Sequence, residues 1–378
     1  MVAMTAKTRI GVIFGGRSGE HEVSLMSARS VLAVLDRSKY EVIEIGITHE
    51  GEWLAGEGAL DALQNGRTEK LAHAMILPIP GDGWLYAIRQ AGGGQFLEKL
   101  TPLDVIFPVL HGTFGEDGTL QGFFELGELA YVGAGVLGSS VGMDKGLFKD
   151  LMRARGIPVL NSITFNRSQV ETDSEAIFQA AEALSPYPLF TKPANLGSSV
   201  GITKCHNRSD LLEGLMDAAR FDRRVLVEQG LNNPREIEIS VLGNDEPQVS
   251  LPGEIIPADE FYSYRAKYID ERTQLVIPAR LDAPTVARIQ EIALKAFKAV
   301  DCSGMARVDF LLDRATNDVF VSELNTIPGF TKISMYPKLW EASGLSYSAL
   351  LDRLVELALE RKSSRDRTER RYESRGRA

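Results

Sequence analysis

Two runs of β-branched and apolar residues stand close together near the end of the chain. Met305–Leu312 and Val319–Asn325 are the runs, and Asp313–Asp318 between them is rich in turn-forming residues. This pattern predicts a β-hairpin, followed by a glycine turn at Pro328–Gly329.

The polar side chains of the predicted hairpin fall on one face. Because strand side chains alternate between faces, a five-residue loop at Arg314–Asp318 places Asp309 opposite Glu323 and Arg307 opposite Asn325. Facing carboxylates with Cβ atoms about 4.5–5.5 Å apart destabilise a sheet unless a cation lies between them. The other face is predicted to enter a core with Val308, Phe310, Phe320 and Leu324.

Two acids and an amide on one face suit Mg²⁺, which prefers hard oxygen ligands and is held by carboxylates together with substrate phosphates. Arg307 on the same face could stabilise an anion formed in a reaction. The alternative is a surface hairpin whose charges are only solvated. The register and the glycine turn favour the metal site.

The N-terminal region follows a strand–helix–strand pattern. Arg9–Phe14 and Tyr40–Thr48 are predicted strands, and a helix with an apolar face lies between them. This order is typical of α/β folds with a parallel sheet. Gly51–Leu100 is rich in glycine and poor in pattern, and we interpret it as a variable insertion.

Two glycine-bounded loops follow strands of this region. They are GGRSGEHEVSL at Gly15–Leu25 and HGTFGEDG at His111–Gly118, the second after the predicted strand Asp104–Leu110. Ligands of open α/β sheets bind at such carboxyl ends. Glu20 in the first loop could cap the helix or hold a substrate ammonium group.

A glycine turn in Tyr131–Gly138, GAGVLG, matches the dinucleotide fingerprint. It is not the first strand-to-helix turn, and Arg153 stands about 20 residues further on, where the fingerprint needs an acid. A nicotinamide-dependent dehydrogenase that uses this turn is kept as an alternative from another class. The chain contains no G-x-x-x-x-G-K-[ST] phosphate loop.

Further strands and helices follow in two more modules. The predicted helices are Asp144–Arg155, Ser174–Leu184, Ser209–Phe221, Pro284–Val300 and Tyr347–Glu360. The predicted strands are Val159–Phe165, Leu189–Lys192, Ser199–Lys204, Arg224–Gln229 and Arg235–Leu242.

Three segments of these modules lack regular pattern. Lys192–Gly201, KPANLGSSVG, offers a lysine, hydroxyls and backbone N–H groups to a triphosphate, or is a plain hairpin loop. Pro257–Thr273 has the length of a functional lid. Arg361–Ala378 has eight basic and three acidic residues, and we predict a disordered tail.

Composition excludes several classes. The formal net charge of −9 argues against nucleic acid as the main partner. Two cysteines without C-x-x-C spacing indicate a reducing cytoplasm rather than a zinc or disulfide framework. The longest apolar runs are too short for a membrane span, so no membrane partner is expected.

The chain resembles the D-alanine–D-alanine ligases of the ATP-grasp superfamily. GGRSGEHEVSL, HGTFGEDG, GMDK, KPANLGSSVG, YRAKY and RVDF…ELNTIPGFT occur in the order of that family, and the resemblance covers about Ile10 to Glu360. It implies an ATP-grasp fold with an N-terminal α/β, Rossmann-like domain. The expected parts are 1–140, with the insertion at 51–100, then 141–230, 231–360 with the lid at 257–273, and the tail 361–378.

The resemblance also implies a role for particular residues. The implied catalytic residues are Glu20, Ser198, Lys267, Tyr268 and Arg307. The implied substrate-binding residues are Glu20, His111, Ser198, Arg307, Gly329, Ser334 and Met335. The implied ATP contacts are Lys145, Lys192, Gly197, Ser198, Ser199, Val200, Glu228, Gln229, Leu231, Glu236 and Lys267. Asp309, Glu323 and Asn325 would bind two Mg²⁺ or Mn²⁺ ions, and a monovalent cation is a further candidate.

The implied activity is ATP-dependent joining of two D-alanines through D-alanyl phosphate, for peptidoglycan precursors, in a cytoplasmic homodimer. Within the class, a D-alanine–D-lactate ligase is the second interpretation, against which Tyr268 argues. A nucleotide-binding regulator that has lost chemistry is a third. The base that takes the proton of the second D-alanine stays open between Tyr268 and the phosphate formed.

Overall fold

Three β-sheets and eleven helices make up the part of the chain that the computed structural model describes, residues 6–198, 200–257, 273–331 and 333–370. The strands are β1 Thr8–Gly15, β2 Tyr40–Ile47, β3 Trp53–Ala55, β4 Ala72–Ile76, β5 Trp84–Ala91, β6 Gly94–Pro102, β7 Val105–Pro108, β8 Ser162–Asn166, β9 Leu189–Pro193, β10 Thr203–Cys205, β11 Arg224–Gln229, β12 Arg235–Gly243, β13 Gln248–Val249, β14 Gly253–Ile256, β15 Gln274–Val276, β16 Gly304–Leu312 and β17 Val319–Asn325. The helices are α1 His21–Val34, α2 Ala59–Gln64, α3 Thr119–Leu126, α4 Val136–Met143, α5 Lys145–Ala154, α6 Arg167–Thr172, α7 Ser174–Leu184, α8 Arg208–Phe221, α9 Ala283–Ala299, α10 Met335–Ala342 and α11 Tyr347–Asp366.

The first sheet has seven strands in the order β6-β5-β4-β3-β2-β1-β7. β1 pairs in parallel with β2 and β7, so the predicted strand–helix–strand opening is confirmed. One core lies between this sheet and α1 and α11, and a second core lies on the other face beneath α3.

The segment 51–100, interpreted from the sequence as a variable insertion poor in pattern, consists largely of regular elements. It contains β3, β4, β5 and most of β6, together with α2. β6 is exposed along most of its length, with Phe96 and Leu97 on opposite faces both open to solvent. Because no face of β6 is buried, its sequence has no alternation that would reveal a strand.

The second sheet is antiparallel, in the order β10-β9-β11-β8, and packs on α7 and α8. The strand after the glycine–serine loop begins at Thr203, later than the predicted Ser199, which lies outside the described residues.

The third sheet has β15-β14-β12-β16-β17 in order, with β13 on β12, and packs on α9 and α5. β16 and β17 form the predicted hairpin, and Asp309 faces Glu323 while Arg307 faces Asn325, as predicted. The tip differs: Asp313 N–H donates to the carbonyl of Asp318, which leaves a four-residue loop.

A β-bulge compensates for the shorter loop. The register shifts between Asp309 and Phe310, and Ser322 is the extra residue on β17. Val319 and Val321 therefore enter the core, whereas Phe320, predicted to be a core residue, is only half-buried on the opposite face.

The predicted disordered tail is wrong over its first part, because α11 continues to Asp366. Arg361 donates to the carbonyl of Tyr131 at 3.1 Å and stacks 4.0 Å from the centroid of the Tyr131 ring. Arg365 donates to the carbonyl of Leu129 and pairs with Glu125. These arginines hold the last turns of α11 against α3 and the segment that follows α3; residues 371–378 lie outside the described part.

The GAGVLG turn is used for close packing of backbone. A Cβ atom at Gly138 would lie 3.1 Å from the Asp301 carbonyl oxygen, and one at Gly304 would lie 3.1 Å from the Gly133 nitrogen. The turn therefore abuts the segment before β16, which leaves no approach for a dinucleotide there.

Candidate active site

Three carboxylates form a row across neighbouring strands of the third sheet. Asp309 on β16 lies between Glu238 on β12 and Glu323 on β17. Adjacent like charges repel, so the row requires compensating cations. Glu238 was not among the predicted site residues, although Glu236 and Glu238 share a strand face in the sequence.

Arg307 compensates two of these acids. Its Nε and Nη2 atoms donate to the two carboxylate oxygens of Asp309 at 2.7 and 2.6 Å, and Nε lies 3.0 Å from Glu238. Burial alone would lower the pKa of the guanidinium, but the charges of Asp309 and Glu238 raise it well above its usual value. Arg307 is therefore a permanent cation.

The remaining contacts join the row to other elements. Asn325 Nδ2 donates to Asp309 at 3.0 Å, and Lys145 Nζ lies 3.5 Å from Glu323. Lys145 stands at the start of α5 and also donates to the carbonyl of Leu196, at 2.7 Å. A lysine thus bridges the acids and the glycine–serine loop.

Glu20 is the predicted ammonium ligand, and it lies between two glycines. Ser198 Oγ donates to Glu20 Oε1. A Cβ atom at Gly112 would lie 2.5 Å from Glu20 Oε2, and one at Gly197 would lie 2.7 Å from the same oxygen. Loops of the first and second sheets therefore approach this carboxylate closely because both positions lack a side chain.

His111 and Glu116 hold the wall beside Glu20. His111 is buried, with Nδ1 3.1 Å from the Ile327 carbonyl and Nε2 3.1 Å from Ser27 Oγ. Burial lowers the pKa of His111. Glu116 accepts from the N–H groups of Gly112 at 2.7 Å and Ile327 at 3.2 Å. Sequence reasoning missed Glu116 because nothing in HGTFGEDG distinguishes a buried acid from a turn residue.

A second group of charges lies between α5 and the second sheet. Lys192 on β9 and Lys149 on α5 both pair with Glu228 on β11. Burial alone would raise the pKa of the Glu228 carboxyl, but the two ammonium groups lower it to about 2. Lys149 was not predicted; its spacing of one helical turn from Lys145 is the signal that was available.

The predicted residues line two adjoining clefts. The first is lined by Glu20, His111, Lys145, Gly197, Ser198, Arg307, Glu323, Asn325, Gly329, Ser334 and Met335, among others. The second is lined by Lys145, Lys192, Gly197, Ser198, Glu228, Gln229, Leu231, Glu236, Asp309 and Glu323, among others. Lys145, Gly197, Ser198 and Glu323 border both, so the clefts share a wall.

A few predicted residues are not placed in this geometry. Val200 is absent from the described lining of both clefts. Ser199, Lys267 and Tyr268, and with the last two most of the predicted lid, lie outside the described residues.

Glu116 gives a pH-dependence that can be tested. Burial raises the pKa of its carboxyl to about 8, and the Glu20 charge adds to this, against an ordinary value of 4.5. At a pH between 4.5 and about 8, Glu116 holds a proton in the folded chain and has released it in the unfolded chain. The stabilisation of the fold by this proton is therefore complete below pH 4.5 and is lost as the pH rises through about 8. We expect unfolding free energy to fall by up to about 1.4 kcal/mol per pH unit in this window from this group.

The measurement is denaturant unfolding at several pH values. Glu116→Gln should flatten the decline, and the exposed Glu57→Gln should leave it unchanged. Parallel curves for wild type and Glu116→Gln would contradict the assignment.

Two antiparallel sheets with a cleft between them, lysines from one side and acids from the other, define an ATP-grasp ligase, and the predicted fold class is confirmed. The comparisons with known proteins agree. Residues 9–134 match the family model described as D-ala D-ala ligase N-terminus, and residues 151–356 match D-ala D-ala ligase C-terminus.

Individual relatives extend over nearly the whole chain. The D-alanine–D-alanine ligase of Natranaerobius thermophilus is 50% identical, over 96% of this chain and 97% of the relative, and that of Heliobacterium modesticaldum is 49% identical, over 96% and 98%. The D-alanine-D-alanine ligase structure from Coxiella burnetii has a TM-score of 0.81 at 38% identity, covering 96% of this chain and 97% of that one. The structure of the VanG D-Ala:D-Ser ligase from Enterococcus faecalis has a TM-score of 0.80 at 38% sequence identity, covering 93% of this chain and 100% of that one. This chain belongs to the D-alanine–D-alanine ligase family, as its motifs predicted.

Proposed function

We propose that this chain joins two D-alanine molecules to D-alanyl-D-alanine with ATP, through a D-alanyl phosphate, for peptidoglycan precursor synthesis. The observation that carries the proposal is the shared wall of the two clefts. A cleft with the carboxylate of Glu20, which we propose binds an ammonium group, adjoins a cleft with lysines suited to phosphates, and Lys145 and Glu323 border both. A phosphoryl group and an amino acid can therefore meet there.

The nucleotide would occupy the second cleft. Lys145 and Lys192 would contact the phosphates, with Gly197, Ser198, Ser199 and Val200 covering them. Glu228, Gln229 and Leu231 would receive adenine, and Glu236 the ribose. Placing the phosphates at Lys145 directs the terminal phosphoryl group toward the first cleft.

Asp309, Glu323 and Asn325 fit a divalent ion, because their oxygens are hard donors on one strand face and the row of acids requires positive charge. Mg²⁺ or Mn²⁺ held there would neutralise charge on the transferring phosphoryl group. Arg307 pairs with Asp309 and Lys145 pairs with Glu323, and these contacts hold both acids in the row.

The first D-alanine would lie with its ammonium group on Glu20, which Ser198 orients. Its carboxylate oxygen forms a bond to the terminal phosphorus of ATP, and the bond from that phosphorus to ADP breaks. A carboxylate is a poor electrophile, and the acyl phosphate so formed is a good one. Lys267 and the lid are proposed to close over this intermediate and exclude water.

The second D-alanine would place its carboxylate at Ser334, at the start of α10. Its neutral amine forms the new C–N bond and gives up a proton, for which Tyr268 and the phosphate formed are the candidate acceptors. The C–O bond to phosphate then breaks and releases phosphate. Arg307 and the backbone N–H of Gly329 face the oxyanion that develops between these events. Ser334 lies beside Gly329, since a Cβ atom at Gly329 would be 2.8 Å from Ser334 Oγ. The carboxylate site and the oxyanion site are therefore adjacent, as the reaction requires.

The test is phosphate release from ATP on addition of D-alanine, with D-alanyl-D-alanine identified by mass. We expect phosphate release to require both ATP and D-alanine. With D-lactate as the second substrate near neutral pH, we expect little mixed product. A preference for D-lactate would favour the depsipeptide activity instead. D-Serine is a useful third substrate, since a relative in structure is named as a D-Ala:D-Ser ligase. Absence of release with every substrate would refute the proposal.

We further propose a cytoplasmic homodimer with no nucleic-acid partner. Among the described residues, no helix has both the length and the apolar character needed to cross a bilayer. Light scattering at two protein concentrations, with twice the chain mass at both, checks the dimer.

A further inference from the structure

The buried ion-pair group of Lys149, Glu228 and Lys192 has a feature that the reaction scheme does not use. Two ammonium groups share one carboxylate: Lys149 pairs with Glu228 Oε1 and Lys192 with Glu228 Oε2. The two lysines differ in access. The side chain of Lys149 is 1% exposed, whereas that of Lys192 is 14% exposed and lines the second cleft.

We propose that Lys149 is a positioning residue that keeps the Glu228 carboxylate paired, and thereby leaves the Lys192 ammonium group available to the phosphates of ATP. This inference rests on the proposed function, since it assigns the second cleft to ATP. Lys149 itself does not line the cleft in the described structure, so it acts through Glu228 rather than on the nucleotide.

The physical reason is the cost of an unpaired buried charge. Removing one partner of a buried ion pair is strongly unfavourable, because the other charge remains without compensation. If Lys192 were the sole partner of Glu228, any movement of Lys192 toward a phosphate would leave the carboxylate buried and unpaired. With Lys149 on the other oxygen, Lys192 can turn to the nucleotide while Glu228 stays compensated.

The position of Lys149 suits this role. It lies one helical turn beyond Lys145 on α5, so both lysines project from one face of that helix. Lys145 reaches the glycine–serine loop and Glu323, and Lys149 reaches the second sheet. Burial lowers the pKa of Lys149 and the Glu228 charge opposes this. The two groups therefore depend on each other for their charges.

The experiment is a double-mutant cycle between Lys149→Met and Glu228→Gln, read out as KM for ATP and KM for D-alanine. In the wild-type background, Lys149→Met should raise KM for ATP about tenfold, which corresponds to about 1.4 kcal/mol. KM for D-alanine should change by less than about twofold, since Glu20 and Ser198 are untouched. In the Glu228→Gln background, where no carboxylate retains Lys192, Lys149→Met should change KM for ATP by less than about twofold.

The cycle separates the proposal from a purely structural role. Equal effects of Lys149→Met in both backgrounds, or a parallel rise in both KM values, would overturn it. Lys149→Gln serves if the methionine variant does not fold, because it offers Glu228 a shorter, neutral donor and removes the charge. Since the proposal assigns the compensation of Glu228 to that charge, an unchanged KM for ATP would then overturn it. Lys295→Met on α9, an exposed lysine paired with Glu291, is the matched control and should leave both values unchanged.

Failure of the inference and failure of the proposed function give different results. Wild-type protein without D-alanine-dependent turnover would refute the function. Wild-type turnover, together with additive effects of Lys149→Met and Glu228→Gln on KM for ATP, would refute only the role of Lys149.

Discussion

Replacing Asp309 with Asn and Glu323 with Gln together should reduce D-alanine-dependent phosphate release by about 10³-fold or more. A divalent ion contributes several kcal/mol of charge stabilisation to phosphoryl transfer, and about 4 kcal/mol corresponds to that factor. The chain should remain folded, because the change removes two of three adjacent negative charges and Arg307 keeps Glu238 as a partner. Loss of activity without loss of stability is thus the expected signature.

The measurement combines initial rates over a range of Mg²⁺ concentrations with thermal unfolding. The matched control is Asp150→Asn with Glu291→Gln, two exposed acids on α5 and α9 whose ion pairs are on the surface. Control rates should equal those of wild type. Turnover within tenfold of wild type at the same Mg²⁺ concentration would show that the facing acids do not serve the reaction.

Replacing Arg307 with Met should lower both turnover and stability. Losing one donor to a developing oxyanion costs about 10²–10³ in kcat. Asp309 and Glu238 are only 15% and 6% exposed, so the change also removes the cation that compensates two buried carboxylates, with an expected loss of about 3–5 kcal/mol of unfolding free energy. Arg307→Lys should recover part of the stability and less of the rate, because an ammonium group lacks the two-pronged guanidinium geometry.

Arg235→Met is a suitable control for the stability component. Arg235 makes a similar two-pronged contact in the same sheet, to Glu254 at 2.8 and 2.7 Å, without lining either cleft. We expect this variant to lose stability and keep kcat within about threefold of wild type. Denaturant unfolding and single-turnover phosphate release check both variants. A normal kcat for Arg307→Met would argue against its oxyanion role.

The hairpin illustrates what the sequence predicts well and where it fails. Its polar face was predictable because alternation and turn chemistry are local properties. The exact loop and the bulge were not, because a five-residue loop without a bulge and a four-residue loop with one give the same pairing of Asp309 with Glu323. Val319, Phe320 and Val321, which all change face, distinguish the two arrangements.

The other errors concern surfaces and charges whose partners are distant in sequence. The end of α11 lacks apolar periodicity, and its arginines are held instead by Glu125 on α3 and by the carbonyls of Leu129 and Tyr131. Lys149, Glu116 and Glu238 are buried titratable residues whose partners are distant in sequence. Single-sequence reasoning places such residues on solvated faces, because charged side chains are mostly exposed.

The bulge at Ser322 also bears on which property of the hairpin must be preserved for chemistry. A residue removed from the tip can be restored within the strand, as it is here, and the two acids still face each other. What the chemistry requires is therefore the pairing of Asp309 with Glu323, and not one particular turn between their strands. Insertions balanced by deletions inside this interval are compatible with the same site, whereas a one-residue slip of β17 against β16 turns Glu323 toward the core.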